Sequence, residues 1–110
     1  MSAYVYILFD KPDENLIIGV TSNLIMHMHE IKNKISKIYE NEFPTNKLAY
    51  YEKYNDLDEA IIRKKELEEL TKEDLISLIT RDNQHWEDMH DTILKIWSDS
   101  LKSNNIDQAT

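Results

Sequence analysis

The stretch "YVYILF", residues 4 to 9, is apolar or aromatic at every position. Successive side chains on a strand alternate between faces, so Tyr4, Tyr6 and Leu8 point one way and Val5, Ile7 and Phe9 the other. A strand apolar on both faces has to be covered on both. The chain has 110 residues, enough for one domain that buries about two thirds of the surface its unfolded form exposes. The stretch therefore predicts a central strand with further elements stacked on each side of it.

The remaining elements follow from changes of period. "DKPDEN" is a polar turn and "LIIGV" a second strand, so the first two strands form a hairpin. From Ser22 the apolar residues Leu24, Met28, Ile31, Ile35 and Ile38 recur at steps of four and three, the stripe of one helix. Pro44 and Asn46 break the chain, and "KLAYYEKY" is a third strand. Asp56 with Glu59 starts a helix running to about Leu70, and Thr71 with Asp74 starts the next. "RDNQHWEDM" is an irregular acidic segment. "DTILKIWSDSL" is a last helix with Ile93, Trp97 and Leu101 on one side, packing with Trp86 as a helical layer. The predicted class is α+β: a small three-stranded antiparallel sheet in the order β-β-α-β-α-α, flanked by helices, with an additional C-terminal helix. Residues 1–91 form the domain, 92–102 the extra helix, and 103–110 a flexible tail.

Charge and composition narrow the function classes. The formal net charge is -8, and it is unevenly placed. Residues 1–53 carry 6 Lys and Arg against 7 acids, whereas residues 54–110 carry 7 against 14. An acidic surface repels phosphate, so binding to nucleic acid needs a local basic patch. Lys32, Lys34 and Lys37 are the one such cluster, flanked by Glu30 and Glu40. They are either a solvated face or a weak nucleic-acid contact whose binding collapses between ~50 and ~200 mM salt. With no cysteine there is no disulfide framework or thiolate zinc site, in keeping with a cytoplasmic protein. The N-terminus reads as a strand, not a signal peptide, and no apolar run approaches the ~20 residues of a membrane span.

The helix beginning at Leu57 places Leu57, Ala60, Ile61, Lys64 and Leu67 on its inward stripe. An ammonium on an apolar face is costly unless it is paired or near water. Either Lys64 snorkels past Leu67 and pairs with Glu68, or this face borders a cleft.

Taken in order, "YVYIL", "IIGVTSNL", "KLAYYE", "EAIIRKKELE" and the late "N-x-x-W-x-D-M" resemble the small single-domain branch of the GIY-YIG nucleases. That family is related to the N-terminal cutting domain of excinuclease C. The resemblance spans roughly residues 3 to 91 and implies the fold of a metal-dependent DNA endonuclease. It also implies a set of site positions, several of which depart from the pattern. Tyr6 matches the tyrosine of the first strand, and Gly19 the glycine of the second. Where the family has a tyrosine two residues before that glycine, this chain has Ile17. His27 stands at the phosphate-steadying arginine, Ile31 at a helix histidine directly after Glu30, and Lys64 at the metal-binding glutamate. Asn83 matches the late asparagine. Gly19 is the chain's single glycine. It marks either a strand end with unusual backbone angles or a place where bulk would obstruct the site.

These departures bear on the chemistry. Phosphodiester cleavage by this family needs a divalent ion to polarise the phosphate, and hard cations want oxygen ligands. Lys64 offers three donors and no acceptor and would repel Mg²⁺. His27 lacks the planar fork of arginine. Tyr6 acts as a base only beside a cation, for which Lys64 is a candidate. His27 and His29 point to nearly opposite sides of a helix, and His85 and His90 complete no ligand set, so no metal and no cofactor is expected. The expectation is a GIY-YIG-fold interaction module, inactive or strongly impaired, with a weak nucleic-acid or protein partner or a homodimer formed through the last helix. The alternative is a Mg²⁺-dependent or atypical endonuclease.

Overall fold

The computed structural model describes residues 2–10, 15–32 and 47–95. Its three strands are β1 (Ala3–Phe9), β2 (Ile17–Thr21) and β3 (Lys47–Tyr54), arranged β2-β1-β3 with both pairings antiparallel. The helices are α1 (Leu24–Lys32), α2 (Leu57–Glu68) and α3 (Lys72–Asp82). A fourth helical segment begins at His90 and is described to Lys95. The α+β class, the antiparallel sheet and the central position of "YVYILF" all agree with the sequence expectation.

The two faces of β1 build two separate apolar clusters. Ala3, Val5, Ile7 and Phe9 join Ala49, Tyr50, Ala60, Leu67, Leu75 and Ile79 under α2 and α3. Tyr6 and Leu8 join Leu24, Met28, Ile31, Leu48 and Ile93 under α1 and the last helical segment. From Val5 to Phe9 no residue is more than 4% exposed. Each large side chain so buried contributes about 1.5–3 kcal/mol, and this strand supplies both clusters at once.

The helices start where the caps place them. The Asp56 carboxylate accepts from the Glu59 amide at 2.9 Å, and the Thr71 hydroxyl accepts from the Asp74 amide at 3.1 Å. Each satisfies an N–H that the first helical turn leaves without a partner. Helix α2 ends at Glu68, short of Leu70.

Three expectations need correction. The inward stripe of α2 is narrower than its spacing predicts: Ala60 and Leu67 are buried, while Leu57 is 50% and Ile61 37% exposed. The helix lies against β1 and β2, with Ala60 and Leu67 as its buried residues. Trp86 does not pack in one layer with Ile93. It sits edge-on to Phe9, with centroids 5.4 Å apart, in the cluster on the opposite face of the sheet. Its indole N–H donates to the Thr80 hydroxyl at 3.1 Å. Gly19 has no positive φ, so backbone angles are not what requires it. Ile35, Ile38, Trp97, Leu101 and residues 103–110 lie outside the described residues. Among those described, no helix is long and apolar enough to cross a membrane.

A polar clasp ties α2 to β3. Glu52 accepts from Arg63 Nε at 2.9 Å and Nη2 at 3.2 Å, and its two oxygens also accept from the Tyr50 and Tyr54 hydroxyls. Burial pushes the Glu52 carboxyl upward, but the hydrogen bonds from Arg63, Tyr50 and Tyr54 outweigh it and hold the group below its ordinary value. Burial and the bond to Glu52 together push the Tyr54 phenol up to about 12. A carboxyl depressed on folding adds stability that is complete above its unfolded pKa and disappears as pH falls through the folded one. Glu52→Gln is expected to cost about 1–3 kcal/mol at neutral pH. The loss should shrink as pH drops below the ordinary carboxylate range, which urea unfolding across pH would reveal.

Candidate functional site

The register of the hairpin places Tyr6 of β1 directly opposite Gly19 of β2, and opposite Tyr51 of β3 on the other side. Because cross-strand partners share a face, the Tyr6 ring can lie over Gly19 only if nothing stands there. A Cβ built on Gly19 would overlap the Tyr6 hydroxyl and Cζ and stand 2.9 Å from Cε1. The one glycine of the chain is therefore a bed for a phenol ring. Of the two readings of Gly19, unusual backbone angles are excluded, and the bulk a side chain would add is met by the Tyr6 ring itself.

Lying flat over Gly19, the phenol reaches α1. Its hydroxyl is 2.6 Å from His27 Nε2, and the two rings are tilted at 51° with centroids 5.0 Å apart. Helix α1 presents His27 there because Leu24, Met28 and Ile31 are buried against the sheet. Asn23 fixes the start of that helix by accepting from the Met26 amide at 3.1 Å. Burial lowers the His27 pKa, partly offset by Glu30, so the imidazole is neutral at pH 7. In the Nδ1–H tautomer its Nε2 accepts a hydrogen bond from the Tyr6 hydroxyl.

The other expected positions are elsewhere. Ile17 packs at the margin of the Tyr6 cluster, and Ile31 is 4% exposed within it. Both are apolar filling. Lys64 lies on α2, whose buried residues Ala60 and Leu67 belong to the cluster on the opposite face of the sheet. Its ammonium is 3.9 Å from the Glu68 carboxylate, which is the pairing expected of a lysine leaving an apolar stripe. Asn83 caps α3 and is fully engaged with backbone. Its amide donates to the Ala49 carbonyl at 3.1 Å and the Glu87 carbonyl at 2.8 Å, and its oxygen accepts from the Glu87 amide at 3.0 Å. It fastens the 83–87 turn to β3. Lys34 and Lys37 lie outside the described residues; Lys32 closes α1.

The position that the resemblance gives to a metal-holding glutamate is on α2, which packs on the face of the sheet opposite Tyr6. Lys64 has no acceptor to offer and already faces Glu68. Among the described residues no three His, Asp or Glu side chains group closely enough to hold a metal.

Tyr50, Glu52 and Tyr54 act as a unit that no motif in the sequence marks. Their alternate spacing on a strand is the available signal, since residues i, i+2 and i+4 share one face.

No family model matches the sequence, and no curated protein is significantly similar to it. Among solved structures, the solution NMR structure of the UPF0213 protein BH0048 from Bacillus halodurans matches with a TM-score of 0.51 and 22% identity. The match covers 81% of this chain and 94% of that one. This likeness shows a shared fold.

The Tyr6–Gly19 contact predicts a coupled pair of substitutions. Gly19→Ala should cost about 1–3 kcal/mol by overpacking, as the ring is pushed off its bed. In a Tyr6→Ala background the same change should be neutral or stabilising, because alanine suits a strand better than glycine once there is room. A double-mutant cycle by urea unfolding, in osmolyte buffer so that every variant folds, measures the coupling.

Proposed function

We propose that this chain is a non-cleaving interaction module on a GIY-YIG-like fold. The observation that carries the reading is Lys64. At the position where the resemblance calls for the metal-holding glutamate stands an ammonium paired with Glu68. Without that carboxylate, a phosphate loses the polarisation and leaving-group help that a bound ion supplies, worth several kcal/mol of transition-state stabilisation. The neighbouring departures reinforce it. Ile17 brings no proton-transfer group, and His27 is neutral where a fixed positive charge would steady a phosphate. Tyr6 is 4% exposed, with its hydroxyl turned to His27.

One feature favours the competing reading, an atypical endonuclease. A phenol hydrogen-bonded to an imidazole is a candidate for activation without a metal. Lys64 takes no part in such a pair, because it lies on a helix packed to the other face of the sheet.

Plasmid nicking separates the two. The native protein, Tyr6→Phe and His27→Ala are incubated with supercoiled DNA in Mg²⁺, in Mn²⁺ and in chelator. The interaction-module reading expects no nicking above buffer in any of them. Nicking that needs a metal and disappears in Tyr6→Phe would restore the nuclease and require another ligand in place of Lys64. Nicking in chelator that disappears in both variants would establish the Tyr6–His27 pair as the catalyst.

A further inference from the structure

Helix α2 turns Ala60 and Leu67 to the sheet, and its outward side is not the charged surface that such a helix usually shows to water. At about 3.6 residues per turn, the side directly away from the sheet is made by Asp58, Ile61, Ile62 and Lys65, spaced i, i+3, i+4 and i+7. Ile62 is 61% and Ile61 37% exposed, and Asp58 and Lys65 are exposed on either side of them. Among the described residues the Asp58 carboxylate and the Lys65 ammonium have no ion pair. The neighbouring cations of the helix are engaged, Arg63 with Glu52 and Glu66 and Lys64 with Glu68. Two adjoining isoleucines thus stand between an acid and a base that this chain does not pair with anything.

The quartet is complementary to itself. A two-fold axis through its centre, perpendicular to the helix, exchanges Ile61 with Ile62 and Asp58 with Lys65. A second copy laid antiparallel on the first therefore sets each Ile61 against the partner's Ile62 and each Asp58 against the partner's Lys65, as an isologous contact requires. Asp58–Ile62 and Ile61–Lys65 are rows spaced by four, the ridges whose interdigitation crosses two helices at about 50°. A crossing that steep keeps the contact local. All four residues lie within about 5 Å of the axis along the helix, whereas Glu69, on the same side, is about 11 Å away and diverges from the partner. Each copy carries a net charge of -8, but repulsion between charges further apart than ~8 Å is largely screened at ~0.15 M salt. The two close pairs and the apolar centre are what remain.

We infer that the outward face of α2 is a self-association surface, on which a second copy of this chain docks antiparallel around Ile61 and Ile62 with two reciprocal Asp58–Lys65 ion pairs. This goes beyond the interaction-module reading and does not depend on it. The Tyr6–His27 pair lies in the cluster on the other face of the sheet, so the contact leaves it untouched. One helix crossing is smaller than the standard interface of about 1,200–2,000 Å², so the dimer dissociates on dilution.

The test is sedimentation equilibrium of the full chain at ~0.15 M salt, between roughly 1 μM and 1 mM protein. The native chain is expected to pass from monomer toward dimer across that range. Ile62→Gln should weaken dimerisation by about tenfold or more and leave the urea midpoint of dilute monomer unchanged, because the side chain is exposed there. Asp58→Lys and Lys65→Glu each set like charges against each other across the axis, and each alone should be monomeric. Mixed in equal amounts, the two variants should associate again, since one copy then brings two cations to the crossing and the other two acids. Far-UV circular dichroism checks that each variant folds, and damage to the fold cannot produce the recovery in the mixture. A native chain that stays monomeric at the highest concentration overturns the inference. Undiminished dimerisation of Ile62→Gln does so too, by placing the contact on another surface, and so does a mixture no more associated than its two components.

Discussion

Everything in this domain depends on β1 being buried from both sides. One strand of seven residues supplies the floor of two clusters that meet only through the sheet. Its burial is what forces α2 and α3 to one side, and α1 with the last helical segment to the other. The other strands then divide their roles. β3 carries the clasp to α2 and receives the 83–89 segment near its start, through Asn83 to Ala49 and through Asp88 and Met89 to Leu48. β2 carries the glycine that makes room for Tyr6.

The arrangement around Tyr6 is one of mutual fit between three elements. β2 withdraws a side chain, β1 lays a ring into the space, and α1 offers an imidazole to the end of that ring. Each part is set by something that is not chemistry at a reacting atom: strand register, the missing Cβ, and the apolar stripe of α1. A hydrogen bond of this kind between a phenol and a neutral imidazole also satisfies two polar groups that burial would otherwise penalise. The pair is thus stabilising whether or not it ever contacts a ligand.

Much of the fold was legible because its signals are local and redundant. Six apolar residues in a row mark a strand covered on two sides, and Asp56 and Thr71 mark helix starts by side-chain chemistry alone. The site was legible only in part. Tyr6 and Gly19 are found as a motif, but that they touch is a matter of register, which no spacing within either strand encodes. Leu57 and Ile61 satisfy the helical period and are nonetheless exposed, because period tells which residues share a face and not how wide the opposing surface is. The pairing of Trp86 with Phe9 rather than Ile93 turns on which side of the sheet a loop crosses, and composition is silent on that. The Glu52 clasp went unread: alternate spacing puts Tyr50, Glu52 and Tyr54 on one face of β3, but the arginine that completes it comes from a helix eleven residues further on.

The strands are unequally protected. β1 is buried at six of its seven residues and paired along both edges, whereas every residue of β2 is only partly buried. β2 is also an edge of the sheet. Amides of β1 are released only when the whole domain opens, while those of β2 can exchange in smaller openings. Gly19 sits in that looser strand. Excursions that lift β2 away would uncover the Tyr6 ring before any other part of the core, which makes the hairpin edge the place where the interior first meets solvent.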